Sequence, residues 1–138
     1  MYSINKYTDT MPRVVKLLSQ YKEHGSLVLG VDFDFTLWDG IDKVYYTDIS
    51  DIIIQAQTLN FKVCLWTANV KRLNRIQDKC AEHGLVFDYI NESPIDLGEN
   101  TVKPHFNLLL DDTAGLGQAL AVLIELIKRI KEIKCNQQ

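Results

Sequence analysis

Three short apolar runs most constrain what this chain can fold into. Residues 27–33, 61–66 and 106–110 are apolar almost without interruption, rather than alternating between apolar and polar side chains. A parallel sheet that is covered on both faces needs strands of this kind, because neither side of such a strand meets water. A weaker run, residues 86–90, is a candidate for a fourth strand. The runs therefore predict a buried, mainly parallel sheet.

Segments with helical spacing lie between and around these runs. Asp48 or Ser50 is a candidate N-cap for the second of them, and Gly25 and Gly84 follow the ends of the first and the third. Strands that alternate with helices predict an α/β fold, here a three-layer α/β/α sandwich with a mainly parallel, Rossmann-like sheet and right-handed crossovers. The predicted helical segments are 10–21, 48–60, 70–83 and 118–134.

Length and composition exclude several classes of protein. We expect one domain over residues 1–138, because domains commonly span about 100–150 residues. The formal net charge of −3 argues against strong nucleic-acid binding through a basic face. The longest apolar run, 119–124, is far shorter than the roughly 20 residues that cross a bilayer. The three cysteines show no CxxC spacing, which indicates reduced thiols in a cytoplasmic protein.

Polar side chains follow each predicted strand at the point where it ends. In an open parallel sheet, ligands bind at the carboxyl ends of the strands, so we expect these side chains to meet at one edge. A lysine shortly before the last run belongs to the same set. The residues expected at this edge are Asp32, Asp34, Thr67, Ala68, Asn69, Lys103, Asp111 and Asp112.

Two acidic clusters at one edge would repel each other unless a cation lay between them. Mg²⁺ suits a few carboxylates, whereas the sequence has no paired histidine motif and no cysteine cluster for a softer metal. With Mg²⁺ bound, Lys103 and the hydroxyl of Thr67 would complete a pocket for a phosphoryl group. A carboxylate can attack phosphorus to form an aspartyl-phosphate, and an aspartate two residues on can protonate the leaving oxygen and later activate water.

Four motifs, in order along residues 27–117, resemble those of phosphatases of the haloacid dehalogenase superfamily, particularly small capless magnesium-dependent ones. Any one of them would be a weak signal, but all four behind the right elements make a strong one. They are DFDFT at 32–36, the threonine that ends VCLWT at 63–67, Lys103, and the acidic pair that ends LLLDD at 108–112.

The resemblance implies a role for each acidic residue. Asp32 would be the nucleophile and a metal ligand. Asp34 would be the general acid/base and would give the metal its backbone carbonyl. One or both of Asp111 and Asp112 would bind Mg²⁺.

The resemblance also implies how substrate is held. Thr67 and Lys103 would hold the phosphoryl oxygens, with Ala68 and Asn69 beside them. The intervals 37–66 and 68–102 are filled by a hairpin turning at residues 39–40 and by the predicted elements, so no cap domain fits. The site would therefore be open to a phosphorylated small molecule or macromolecule.

Two other function classes stay open. The chain could be a non-catalytic, phosphate-binding or regulatory domain of the same fold, although such a homologue would be expected to lose Asp32 or Asp34, and both are present. It could also be a phosphatase for nucleotides or nucleic-acid ends. Ile124 and Leu126 widen the apolar stripe of the last helical segment, which leaves a homodimer contact open.

Overall fold

The computed structural model describes residues 9–92 and 105–137, in which helices and strands alternate. A 3₁₀ turn, Val70–Arg72, leads into the third helix. The elements in chain order are α1 (Met11–His24), β1 (Leu27–Val31), β2 (Trp38–Asp39), β3 (Val44–Tyr45), α2 (Thr47–Thr58), β4 (Phe61–Leu65), α3 (Leu73–Glu82), β5 (Tyr89–Ile90), β6 (Leu108–Leu110) and α4 (Leu116–Asn136).

Within these residues, four strands form one parallel sheet in the order β5-β4-β1-β6, and β2 and β3 form a separate antiparallel hairpin. The central strand β1 pairs with both β4 and β6, so that Val31 lies between Leu65 and Leu110. The chain moves from β1 to β4 to β5 in one direction and returns to the other side of β1 at β6. The carboxyl ends of β1 and β6 are therefore the topological switch point of the sheet, where ligands bind in open α/β folds.

One apolar core lies against one face of this sheet. It takes alternate residues of each long strand, such as Leu29, Val63 and Leu110, all fully buried. The four helices of the described residues all contribute side chains to it, and α4 packs against α1, α2 and β6. The connections from β1 to β4 and from β4 to β5 run in the same direction along the sheet, and their helices α2 and α3 both contribute to this core. The described residues thus show two of the three predicted layers.

The α/β class and the mainly parallel Rossmann-like sheet are confirmed, and no cap is inserted into the described part of the chain. β1 ends two residues earlier than predicted, because Phe33 already belongs to a tight loop. Gly25 ends α1 as expected, with φ of 72° and its N–H donating to the carbonyl of Tyr21. No helix within residues 9–92 or 105–137 has the length and apolar character needed to span a membrane.

The predicted N-cap of α2 is wrong. The helix starts before both candidates, because the N–H of Ser50 already donates to the carbonyl of Tyr46. Ser50 is fully buried inside the first turn, and its hydroxyl accepts a hydrogen bond from Tyr45 at 2.9 Å. Asp48 lies in the same turn, and no side chain caps the helix.

Ile124 and Leu126, the residues on α4 considered for a homodimer contact, differ in exposure. Leu126 is fully buried in the core of the chain itself, whereas Ile124 is 51% exposed. The apolar stripe of α4 is therefore largely used within the monomer.

Gly30, in the centre of β1, allows a close approach of an aromatic ring. A Cβ atom at this position would lie 2.6 Å from Cδ2 of Phe106, whose ring is also held edge-on against Trp66. We expect Gly30→Ala to lower the free energy of unfolding by about 1–3 kcal/mol, because either the ring or the strand must move. Urea denaturation measures this change.

Gly117 in the first turn of α4 is the matched control. A Cβ atom there meets no other atom within 4 Å. Gly117→Ala should leave the free energy of unfolding unchanged or raise it by up to about 1 kcal/mol, because alanine favours helix. A Gly30→Ala variant as stable as Gly117→Ala would contradict the packing described for β1.

Candidate active site

Backbone pairing brings the first acidic residue next to the acidic pair. The ladder between β1 and β6 continues for one more hydrogen bond, from the N–H of Asp32 to the carbonyl of Leu110 at 2.9 Å. Asp32 and Asp111 each follow directly on the last residue of their strand, so this bond makes them neighbours. One carboxylate oxygen from each of Asp32, Asp111 and Asp112 lies within 4.8 Å of the others. The structure thus brings together three of the four predicted acidic residues.

The loop that follows Asp32 turns around the carbonyl oxygen of Phe33. This oxygen accepts hydrogen bonds from the N–H groups of Thr36, Leu37 and Trp38, at 3.2, 2.9 and 3.1 Å. The side chains of Phe33 and Leu37 are buried and anchor the loop in the core. Phe35, at the tip, has a φ of 60°, a left-handed conformation that costs energy for a bulky residue and is common at functional sites.

Thr36 connects the two acidic segments. It is fully buried, and its Oγ1 accepts a hydrogen bond from the N–H of Asp112 at 3.0 Å. The same oxygen lies 3.3 Å from Oδ2 of Asp32 and 3.5 Å from Oδ1 of Asp112. A hydroxyl has one proton, so it donates to one of these carboxylates at a time. In the sequence, Thr36 was noted only as the last residue of the DFDFT motif. That position in the motif is the signal from which its role could have been found.

Asp111 is held by the turn that follows β6. Its Oδ1 accepts hydrogen bonds from the N–H and the hydroxyl of Thr113, at 2.9 and 2.8 Å. Neither member of the acidic pair caps α4, whose N-cap is Gly115 with a φ of 71°. The Asp111 carboxylate is therefore fixed locally and faces its acidic neighbours in one orientation.

The three carboxylates have no cationic partner among residues 9–92 and 105–137, where none of the ion pairs involves them. The pKa of Asp32 is raised to about 6, first by burial and then by the negative charge of Asp111, with a smaller contribution from Asp112, and the N–H of Phe33 opposes the rise. Three converging carboxylate oxygens without counter-charge fit a hard divalent cation such as Mg²⁺.

Asp34 lies two residues beyond Asp32 and is half-buried. Its carboxylate is not among the three that converge. Its predicted roles as general acid/base and as a backbone ligand of the metal stay predictions.

The predicted phosphate-binding segment follows β4 at the same edge. The N–H of Trp66 donates to the carbonyl of Val31 at 2.8 Å, which keeps this segment beside the end of β1. Thr67 is 9% exposed, and its hydroxyl accepts a hydrogen bond from the N–H of Asn69 at 3.1 Å. Ala68 between them is exposed. Lys103, predicted to complete the pocket, lies outside the described residues.

Asn91, which the sequence did not single out, positions Thr67. Its Oδ1 accepts a hydrogen bond from the N–H of Thr67 at 2.8 Å, and its own N–H donates to the carbonyl of Leu65. Asn91 has a φ of 51°, a conformation that asparagine tolerates better than most residues. The one signal for this contact in the sequence is an asparagine directly after residues 86–90, the weakest of the predicted strands.

No protein-family model matches this chain, and no curated protein or solved structure matches it. The likeness to haloacid dehalogenase phosphatases therefore rests on the motifs.

Asp32 couples proton binding to stability. Its pKa in the folded protein is about 6, above the ordinary value of 3.8, so the folded protein holds this proton more tightly than the unfolded chain does. The contribution of this bound proton to the free energy of unfolding is fully present below about pH 4 and is lost as the pH rises through about 6. We expect Asp32→Asn, measured in EDTA, to gain stability relative to the original chain between pH 4 and pH 7.

Urea denaturation of both proteins at several pH values measures this difference. Mg²⁺ should narrow it at pH 7, because the cation stabilises the original chain by binding the ionised carboxylates. A stability difference that is the same at every pH would contradict the electrostatics described for Asp32.

Proposed function

We propose that this chain is a Mg²⁺-dependent phosphatase that hydrolyses phosphate monoesters through an aspartyl-phosphate on Asp32. The observation that carries the proposal is the convergence of the Asp32, Asp111 and Asp112 carboxylates within 4.8 Å at the switch point of the sheet. Phosphoryl transfer to an aspartate needs such a cation site beside the nucleophile, because both the nucleophile and the phosphoryl group are anionic.

The reaction takes two displacements at phosphorus. A carboxylate oxygen of Asp32 forms a bond to phosphorus as the bond from phosphorus to the leaving oxygen breaks, and Asp34 donates a proton to that oxygen. Asp34 then takes a proton from water, which attacks phosphorus, releases inorganic phosphate and restores Asp32. Mg²⁺, held by Asp32 and by one or both of Asp111 and Asp112, would neutralise charge on the phosphoryl oxygens.

The segment after β4 supports binding of the phosphoryl oxygens. Because the hydroxyl of Thr67 accepts its hydrogen bond from Asn69, its own proton can be donated to substrate. Ala68, an exposed residue, would contribute backbone groups to the binding of the phosphoryl oxygens. Lys103 would add a positive charge, as its motif position implies.

The nucleophile is tested with Asp32→Asn and 4-nitrophenyl phosphate, with and without Mg²⁺. We expect turnover by the original chain to need Mg²⁺ and to fall by a factor on the order of 10³ or more in the variant, because an amide does not attack phosphorus. Asp42→Asn, which removes one charge from the exposed loop between β2 and β3, should keep the activity.

Undiminished Mg²⁺-dependent turnover by Asp32→Asn would overturn the assignment of the nucleophile. The substrate class is tested by offering the original chain nucleotides, sugar phosphates, phosphoproteins, and 3′- or 5′-phosphorylated nucleic-acid ends. Binding of phosphate without turnover of any of them would favour the non-catalytic, phosphate-binding alternative.

A further inference from the structure

A small cavity adjoins the loop that carries Asp32 and Asp34. Its volume is about 150 Å³, and it lies between this loop and the start of α3. Its wall contains two aromatic rings, one aliphatic side chain and three cationic ones. The lining residues are Phe33, Trp38, Ile76, Arg72, Arg75 and Lys79.

Most of the cations that line this basic cavity have no ion-pair partner among the described residues. Within the described part of the chain, Arg72 and Arg75 form no ion pair, and Lys79 reaches only Glu82, at 3.9 Å. The ammonium of Lys79 lies over the ring of Trp38, 4.7 Å from its centroid, which holds it at the cavity. Arg72 and Arg75 therefore give the cavity wall positive charge that no ion pair within residues 9–92 and 105–137 neutralises.

This arrangement is unfavourable for α3 by itself. The helix begins directly after Arg72, it has no acidic residue in its first turn, and no side chain caps it. Cations at the N-terminus of a helix oppose its dipole, and Arg75 and Lys79 are like charges four residues apart. An anion in the basic cavity would remove both penalties.

The size and the place of the cavity limit what it binds. About 150 Å³ is half or less of a typical small-molecule site, so the cavity holds one small group, and its three cations favour an anionic one. Phe33, in its wall, lies between Asp32 and Asp34 in the chain. The loop that carries Asp32 and Asp34 therefore forms part of the cavity wall.

We propose that the basic cavity binds a second phosphate group of the substrate, so that the preferred substrates are bisphosphates. The proposal rests on the phosphatase activity proposed above for one phosphate of the same molecule. Arg72 and Arg75 hold the second phosphate, because a guanidinium pairs with two phosphate oxygens at once. Lys79, one helical turn beyond Arg75, adds a third positive charge.

The test compares unbranched alkanediol bisphosphates of increasing length with alkyl monophosphates of the same length. For at least one length, kcat/KM for the bisphosphate should exceed that for the monophosphate by about tenfold or more, as expected for charge-assisted hydrogen bonds. The double variant Arg72→Gln, Arg75→Gln should lose this preference and keep its turnover of 4-nitrophenyl phosphate. Its melting temperature should stay the same or rise, because like charges are removed from an exposed helix end.

Lys71→Gln is the matched control, because Lys71 is exposed and next to Arg72 but does not line the cavity. It should retain the preference for the bisphosphate. The proposal is overturned if the original chain shows no preference, if the double variant keeps it, or if Lys71→Gln loses it equally.

Failure of the proposed function would be visible separately, as absence of 4-nitrophenyl phosphate turnover by the original chain. In that case, titration calorimetry with alkylene bisphosphonates and alkyl monophosphonates still tests the cavity. Tighter binding of a bisphosphonate by the original chain, lost in the double variant, would support the proposal, and equal binding of the two ligands would overturn it.

Discussion

The hydrogen bond from the N–H of Asp32 to the carbonyl of Leu110 is the last one in the ladder between β1 and β6. The candidate site depends on it, because it sets the residue after β1 beside the residue after β6. The two carboxylates that follow, Asp32 and Asp111, then lie together whatever their charge, and the pKa of Asp32 rises to about 6. Backbone pairing and the burial of β1 provide the stability that holds these like charges in place. A divalent cation bound between the carboxylates would relieve the repulsion that remains.

The loop between Asp32 and β2 fixes the acids from the other side. Its buried side chains, Phe33 and Leu37, tie it to the core, and Thr36 bonds it to the backbone of Asp112. A threonine fits this position because it fills a fully buried space and still offers an oxygen to the N–H of Asp112. The geometry of the site is therefore an extension of the core rather than a feature of mobile surface side chains.

The sheet could be predicted from the sequence because its strands are buried and nearly continuously apolar, and the residues at their ends followed from the parallel topology. Contacts between segments that are distant in the chain could not be predicted in this way. The hydrogen bond from Thr67 to Asn91 joins residues 24 apart, and no local pattern encodes it. The same holds for the basic cavity, since Arg72 and Arg75 look like an ordinary solvated helix face until the fold brings Trp38 opposite them. The predicted N-cap, Asp48 or Ser50, is wrong because the helix already begins at Thr47, and the hydroxyl of Ser50 accepts a hydrogen bond from Tyr45.

Capture of the phosphorylated enzyme tests the central claim most directly. In an Asp34→Asn variant, 4-nitrophenolate leaves without needing a proton, whereas the attack of water on the aspartyl-phosphate still needs a base. Phosphate should therefore accumulate on the enzyme when this variant is incubated with 4-nitrophenyl phosphate and Mg²⁺ and then quenched in acid. Peptide mass spectrometry should find it on Asp32, and borohydride should reduce that residue to homoserine. An unmodified Asp32, or phosphate on any other residue, would contradict the account.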